Sequence, residues 1–164
     1  MTFTGQLLWA SIGYTLAALL GACTARPGRR GVLLIGDGAA QMTVHEPATV
    51  VRGNLPAVVV VDNDGYTVER AIHGADQLYN DISRWDWDIS RCDWTRVPEF
   101  FAAGPGASAV RAETVGELAA ALEGAQARPD RFRFIQAVVP RAEILPLLQG
   151  LTRALSQASR RPSP

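Results

Sequence analysis

Two tripeptides carry the residues most able to do chemistry, Gly36-Asp37-Gly38 and Asn63-Asp64-Gly65, and each stands at the end of a short apolar run. An aspartate carboxylate, an asparagine amide oxygen and a neighbouring backbone carbonyl are hard oxygen donors. Such a set suits magnesium, which takes octahedral geometry and completes its shell with phosphate oxygens and water. The glycines on either side of Asp37 let backbone and phosphate approach closely, and a helix following them would offer its N-terminus to an anion. The chemistry implied is the holding of a diphosphate through magnesium. The plain alternative is a pair of ordinary turns, because Gly-Asp-Gly and Asn-Asp-Gly are common turn tripeptides.

Holding both tripeptides at one place is a task for the elements between them. Residues 32–35 and 57–61 are continuous apolar runs, as expected of strands buried on both faces, and each stops at a cluster of turn formers. The pattern predicts a helix over 40–52 between them and a short helix over 68–73 after them. The spacing from Asp37 to Asn63 suffices for one right-handed βαβ crossover, which would bring both tripeptides to the same edge of a sheet. Residues 74–94 show no clean period and are rich in aromatics, so they are predicted to be a loop, with Tyr79, Trp85 and Trp87 either shaping a pocket or packing on the surface. A helix over 95–103, a strand over 108–111, a helix over 115–127, a strand over 132–139 and a helix over 142–156 follow. Strand and helix alternating in this rhythm predict a single α/β domain with a parallel sheet, without internal repeats, whose ligands sit at the C-terminal ends of the strands.

Composition narrows the classes further. With 164 residues, 48% of them hydrophobic and 20% charged, the chain can bury a sizeable core. Sixteen basic and sixteen acidic side chains cancel, so no overall field draws it to nucleic acid or to a membrane surface. The two cysteines, Cys23 and Cys92, show neither metal-ligand spacing nor a disulfide framework, which fits a reducing, cytoplasmic setting. Near the N-terminus the uncharged run LLWASIGYTLAALLGAC ends in Leu20-Gly21-Ala22-Cys23, the pattern after which bacterial lipoproteins are cut and lipidated. Export would require a basic segment before it, and residues 1–6 contain no lysine or arginine. The run is marginal as a membrane span and includes Ser11, Gly13, Thr15 and Gly21, so a buried helix is the competing reading.

The stretch from "LLIGDGAAQ" to "VVVVDNDGYTVERAIHG" resembles the cofactor motif of thiamine-diphosphate-dependent 2-oxo acid decarboxylases, the pyruvate, indolepyruvate and phenylpyruvate decarboxylase group. That motif opens with GDG and closes with NDGYT. Met42-Thr43-Val44-His45-Glu46, Glu69, Ile72-His73-Gly74 and, upstream, LWASIGYTLAALLGA also fit the family's pattern, as do WDWDI and WTRVPEFF. The resemblance covers nearly the whole chain. It implies the thiamine-diphosphate-binding fold, an α/β parallel sheet flanked by helices, here lacking its first strand and helix. Residues 1–157 would form that cofactor domain, incomplete at its N-terminus, and 158–164 a disordered tail. The apolar N-terminal run becomes an internal helix, with its lipoprotein-like ending accidental.

Carried over residue by residue, the resemblance assigns Asp37 and Asn63, through their side chains, and Gly65, through its carbonyl, to magnesium. Gly36, Gly38 and Ala39 would lie along the diphosphate, with Tyr66 and Thr67 completing the motif at its far end. Ile12 matches the apolar wedge between the two rings of thiamine diphosphate, Ser11 lies beside it, and the Ala10 carbonyl would receive the pyrimidine's amino group. Glu69 matches an active-site carboxylate that handles the substrate carboxylate and a proton. Burial in an apolar pocket would raise its pKa, whereas the alternative is an exposed acid on a short helix.

The family's members are three-domain chains, of which this one corresponds to the last third or less. The glutamate that starts catalysis on the pyrimidine side comes, in the family, from the first domain of a neighbouring subunit. The resemblance therefore implies a piece inactive alone, acting on a 2-oxo acid with a complementary N-terminal-domain chain or as a homo-oligomer, with neither nucleic acid nor membrane as partner. A non-catalytic remnant or interaction protein is the second reading, and an exported lipoprotein the third. Ala10 in place of a glycine and Pro47 inside the predicted helix lean toward the remnant. A proline in a helix interior costs about 3 kcal/mol unless it falls in the first turn.

Overall fold

The computed structural model of the protein describes residues 2–5, 9, 11–53, 55, 57–73, 92–101, 107–141 and 143–159. They fall into two compact units, one drawn from Met1–Asp62 and Cys92–Val138, the other from Asn63–Arg91 and Val139–Pro164.

The first unit is built on a parallel sheet of β1 (Val32–Gly36), β2 (Ala57–Asp62), β3 (Ser108–Ala112) and β4 (Arg133–Val138), ordered β1-β2-β4-β3. Inside the sheet a strand is covered on both faces and tolerates no regular polar alternation. β4 shows this best. Phe134 faces one core with Phe132, just before the strand, while Ile135 and Ala137 face another. On the first face lie α1 (Tyr14–Ala25) and α3 (Pro47–Arg52), which bury Leu16, Leu19, Val50 and Val51 against Leu33, Ile35 and Val60. On the second, α6 (Val115–Ala127) sets Ala125 against Ile135 and Ala137. β1, expected to be buried on both faces, instead lies at the sheet's edge with one face covered: Leu33 and Ile35 are buried, and Val32 and Leu34 are exposed.

The run that could be an export signal or a buried helix is a helix from Tyr14, and Leu16, Leu19 and Cys23 lie on its buried side. Burial pushes the Cys23 thiol up from its usual pKa, partly offset by a hydrogen bond with the Gly31 backbone. Among the described residues no helix is long and apolar enough to cross a membrane. α1 starts after Gly13, whose φ of 86° lies in the left-handed region, and a Cβ there would stand 3.1 Å from the Thr43 methyl. Gly13→Ala is therefore expected to destabilise the fold by about 1–2 kcal/mol, read from the urea midpoint. An unchanged midpoint would show that this entry to α1 can relax.

The helix predicted over 40–52 is two helices, α2 (Asp37–Met42) and α3, separated by turns. Pro47 is the reason. It has no N–H to continue a helix, so the chain stops at Met42 and restarts with Pro47 in the first turn, where its missing donor costs nothing. The expected 95–103 helix is a 3₁₀ turn, Trp94–Arg96, running into the short α5 (Val97–Phe100), with Pro98 again in the first turn. Trp94, assigned from sequence to the aromatic loop, is buried and stacks on Phe134 with ring centroids 5.9 Å apart. The rest of that loop, including Tyr79, Trp85 and Trp87, lies outside the described residues.

α6 matches its predicted bounds because Thr-Val-Gly-Glu is a capping box. Thr114 Oγ accepts from the Glu117 N–H at 3.2 Å, and the Glu117 carboxylate accepts from the Glu113 and Thr114 N–H groups at 2.8 and 3.0 Å. These backbone donors hold the Glu117 carboxyl below its usual pKa. In the second unit α4 (Thr67–His73) packs against α7 (Pro146–Ser159). α7 was expected from residue 142. Its first residue is Pro146, which favours a helix start.

Candidate functional site

The first half of the expected site lies where β1 ends. No turn separates strand from helix there. β1 runs through Gly36, and Asp37 is already the first residue of α2. Asp37 is only 3% exposed, and its Oδ1 accepts the Gly38 N–H at 2.9 Å. A carboxylate suits that position because unpaired N–H groups and the helix dipole favour negative charge in the first turn. Gly38 is buried and Ala39 half-buried behind it, while Ser11 and Ile12 are exposed just before Gly13, Ile12 to 47%. Ala10 lies outside the described residues.

Register carries the same edge across to β2. Gly36 pairs with Val61, so Asp37 and Asp62 occupy equivalent places, each one residue past that pair. Asp62 accepts a 2.6 Å hydrogen bond from Gln136 Nε2 on β4. Gln136 is almost fully buried, and among the described residues its side-chain oxygen has no hydrogen-bond partner. The Cys92 thiol is pushed up from its usual pKa by burial and then by the charges of Asp37 and Asp62. Gln136 and Cys92 were not candidates from sequence. The available signal was a lone glutamine within the apolar strand RFIQAV, where a buried amide must find a partner.

The second half belongs to the second unit, and here the predicted turn is present. Asp64 has φ 61° and Gly65 φ 127°, consecutive left-handed residues between β2 and α4. Asn63 Nδ2 donates to Thr67 Oγ in the first turn of α4, so the amide nitrogen is used on the protein. The amide oxygen is the atom a magnesium ion would take. Tyr66 and Glu69 are both half-buried, Glu69 in the first turn of α4.

Beneath this turn is a group that sequence reasoning missed. Arg70 is 6% exposed and donates through Nη1 to the Asn63 carbonyl at 3.2 Å and to the Arg141 carbonyl at 3.0 Å, and through Nη2 to the Asp64 carbonyl. The Arg141 guanidinium stands 3.9 Å from the carboxylate of buried Asp64. Nothing in the pattern NDGYTVER separates this arginine from a solvated charge on a short helix.

Among the described residues no group of three or more His, Cys, Asp or Glu is placed to hold a metal. The donor set expected here is of another kind, one carboxylate, one amide and one carbonyl. That poverty of charge fits an ion whose remaining ligands are diphosphate oxygens and water, since a dianionic cage would repel the diphosphate.

Comparison with known proteins places the chain. Residues 1–137 match the family model described as "Thiamine pyrophosphate enzyme, C-terminal TPP binding domain". The chain is 52% identical over 157 residues to the alpha-keto-acid decarboxylase of Mycobacterium ulcerans (strain Agy99), covering 95% of this chain and 26% of that protein. The alpha-keto-acid decarboxylase of Mycobacterium avium (strain 104) is also 52% identical over the same length, and that of Mycobacterium tuberculosis (strain ATCC 25618 / H37Rv) 51%. The chain thus spans about a quarter of the length of the curated relatives it matches. Its parallel α/β sheet and its match over most of its length show that it belongs to the family of thiamine pyrophosphate enzymes, as a C-terminal cofactor-binding domain.

Proposed function

We propose that the chain is the diphosphate- and magnesium-binding part of a non-oxidative 2-oxo acid decarboxylase, which needs a second polypeptide segment for the pyrimidine-side glutamate. The observation that carries this reading is the buried Asp37 at the end of β1, within a chain half identical to alpha-keto-acid decarboxylases. The Asn63–Gly65 turn, with its left-handed backbone and its asparagine nitrogen engaged by Thr67, fits the same group.

Asp37, the Asn63 side-chain oxygen and the Gly65 carbonyl would hold magnesium, and Gly36, Gly38 and Ala39 would let the diphosphate lie close to the backbone. Exposed Ile12, with Ser11 and Ala10 beside it, would support the cofactor between its rings. Bound thiamine diphosphate supplies the nucleophilic carbon and the electron sink that decarboxylation of a 2-oxo acid requires. Glu69 would face the substrate carboxylate and hold or deliver a proton at its carboxyl oxygen. Pro47, which leaned toward a non-catalytic remnant, sits in the first turn of α3 and carries no penalty, so that support for the remnant is gone.

Titration calorimetry of the 164-residue chain with thiamine diphosphate tests the reading. Binding is expected in the presence of magnesium and is expected to be lost in excess chelator. No heat with magnesium present would overturn it. The loaded chain alone is expected to release no carbon dioxide from 2-oxo acids, and to do so once a polypeptide bearing the missing glutamate is added.

A further inference from the structure

The Asn63–Gly65 turn is held by two arginines distant from each other in sequence. Asp64 is a non-glycine residue at φ 61°, a conformation that side chains disfavour, followed by Gly65 at 127°. Successive carbonyls of such a turn repel unless something positive faces them. Arg70 faces them from inside, with its planar head donating to the Asn63 and Asp64 carbonyls. A guanidinium can do this because its donors form a rigid fork, which an ammonium lacks. The same head donates to the carbonyl of Arg141, in the segment that follows β4, and Arg141 returns its own charge to the Asp64 carboxylate. Two stretches of chain, 63–70 and 140–141, are thereby closed onto each other around one turn.

We infer that Arg70 and Arg141 are positioning residues that preorganise the Asn63–Gly65 turn for its ion, so that the segment after β4 sets how tightly the turn binds. An ion meeting a turn already formed does not have to order it, and that ordering cost is what preorganisation removes from binding. Neither arginine is among the ion's proposed ligands. Insofar as the ion is magnesium with a diphosphate, the inference rests on the function proposed above; that the arginines hold the turn does not.

Two readouts separate these. Backbone amide exchange of residues 63–67 in the metal-free chain is expected to quicken at least about tenfold in Arg70→Met, with α6 and β4 unchanged. Magnesium-dependent binding of thiamine diphosphate is expected to weaken about 10- to 100-fold in the folded variant, as for loss of an outer-shell partner. Arg70→Lys keeps the charge without the fork and is expected to behave like Arg70→Met; full affinity in that variant would overturn the clamp in favour of simple charge. Exchange unaltered in Arg70→Met would also overturn it, whatever the cofactor does. Quickened exchange with unchanged affinity would overturn the link to the ion. Quickened exchange in a chain whose wild type binds no magnesium thiamine diphosphate would support the clamp and sink the proposed function. Should Arg70→Met fail to fold, Arg141→Met supplies the same comparison from a partly exposed side chain.

Discussion

Asp37→Asn is expected to weaken magnesium-dependent binding of thiamine diphosphate at least about 100-fold, more than the loss of a partner outside the coordination shell. The substitution is close to isosteric. Its amide oxygen can still accept the Gly38 N–H, and the side chain remains at the start of α2, so the fold should survive. What disappears is the single formal negative charge the first unit would offer the ion, from a position sealed from solvent. Calorimetry with magnesium, alongside a thermal melt, checks both halves of the expectation. If the variant binds within a few-fold of wild type, Asp37 is a buried helix-start carboxylate and the ion is held elsewhere.

The second large effect is on stability. Phe134→Ala is expected to cost about 3–5 kcal/mol, the range for removing a buried aromatic from a core that cannot collapse around the gap. Phe134 stacks on Trp94, lies 6.3 Å from Phe132 by ring centroid, and sits on a strand paired on both sides, so little can move in to fill the space. Urea denaturation followed by tryptophan emission reads the loss. A cost below about 1 kcal/mol would mean that this face of the sheet is not the rigid core described here. Because Gln136, two residues on, carries the bond to Asp62, the same variant should loosen the end of β2 before it unfolds the sheet.

β1 and β2 were legible because continuous valine, isoleucine and leucine runs between turn formers have few other uses. Pro47 was visible, but its placement depended on where the preceding helix would stop. The sequence pattern treats a proline in the middle of an amphipathic run and a proline opening a new helix alike. The Asn63-Asp64-Gly65 turn was expected and is there, while Gly36-Asp37-Gly38, composed as a turn, became the junction of a strand and a helix. Sheet registry with β2 decided that, and registry is a long-range property. Arg70, Arg141 and Gln136 escaped for a related reason. A polar side chain announces nothing about its partner until the fold brings a carbonyl or carboxylate to it.

The order β1-β2-β4-β3 has a kinetic consequence. β2 and β4, the central pair, match Val58 with Phe134, so the middle of the sheet joins segments with much of the chain between them. Helices α1 and α6 can form from neighbouring residues, but this pairing must first close a long loop, whose entropy is lost before any contact repays it. Docking of β4 on β2 is therefore expected to be the slow step, and until it occurs Asp62 has no Gln136 to meet. A chain released from denaturant should regain helix signal first and lag in the burial of Trp94. Its capacity for cofactor should appear only with that second, slower phase.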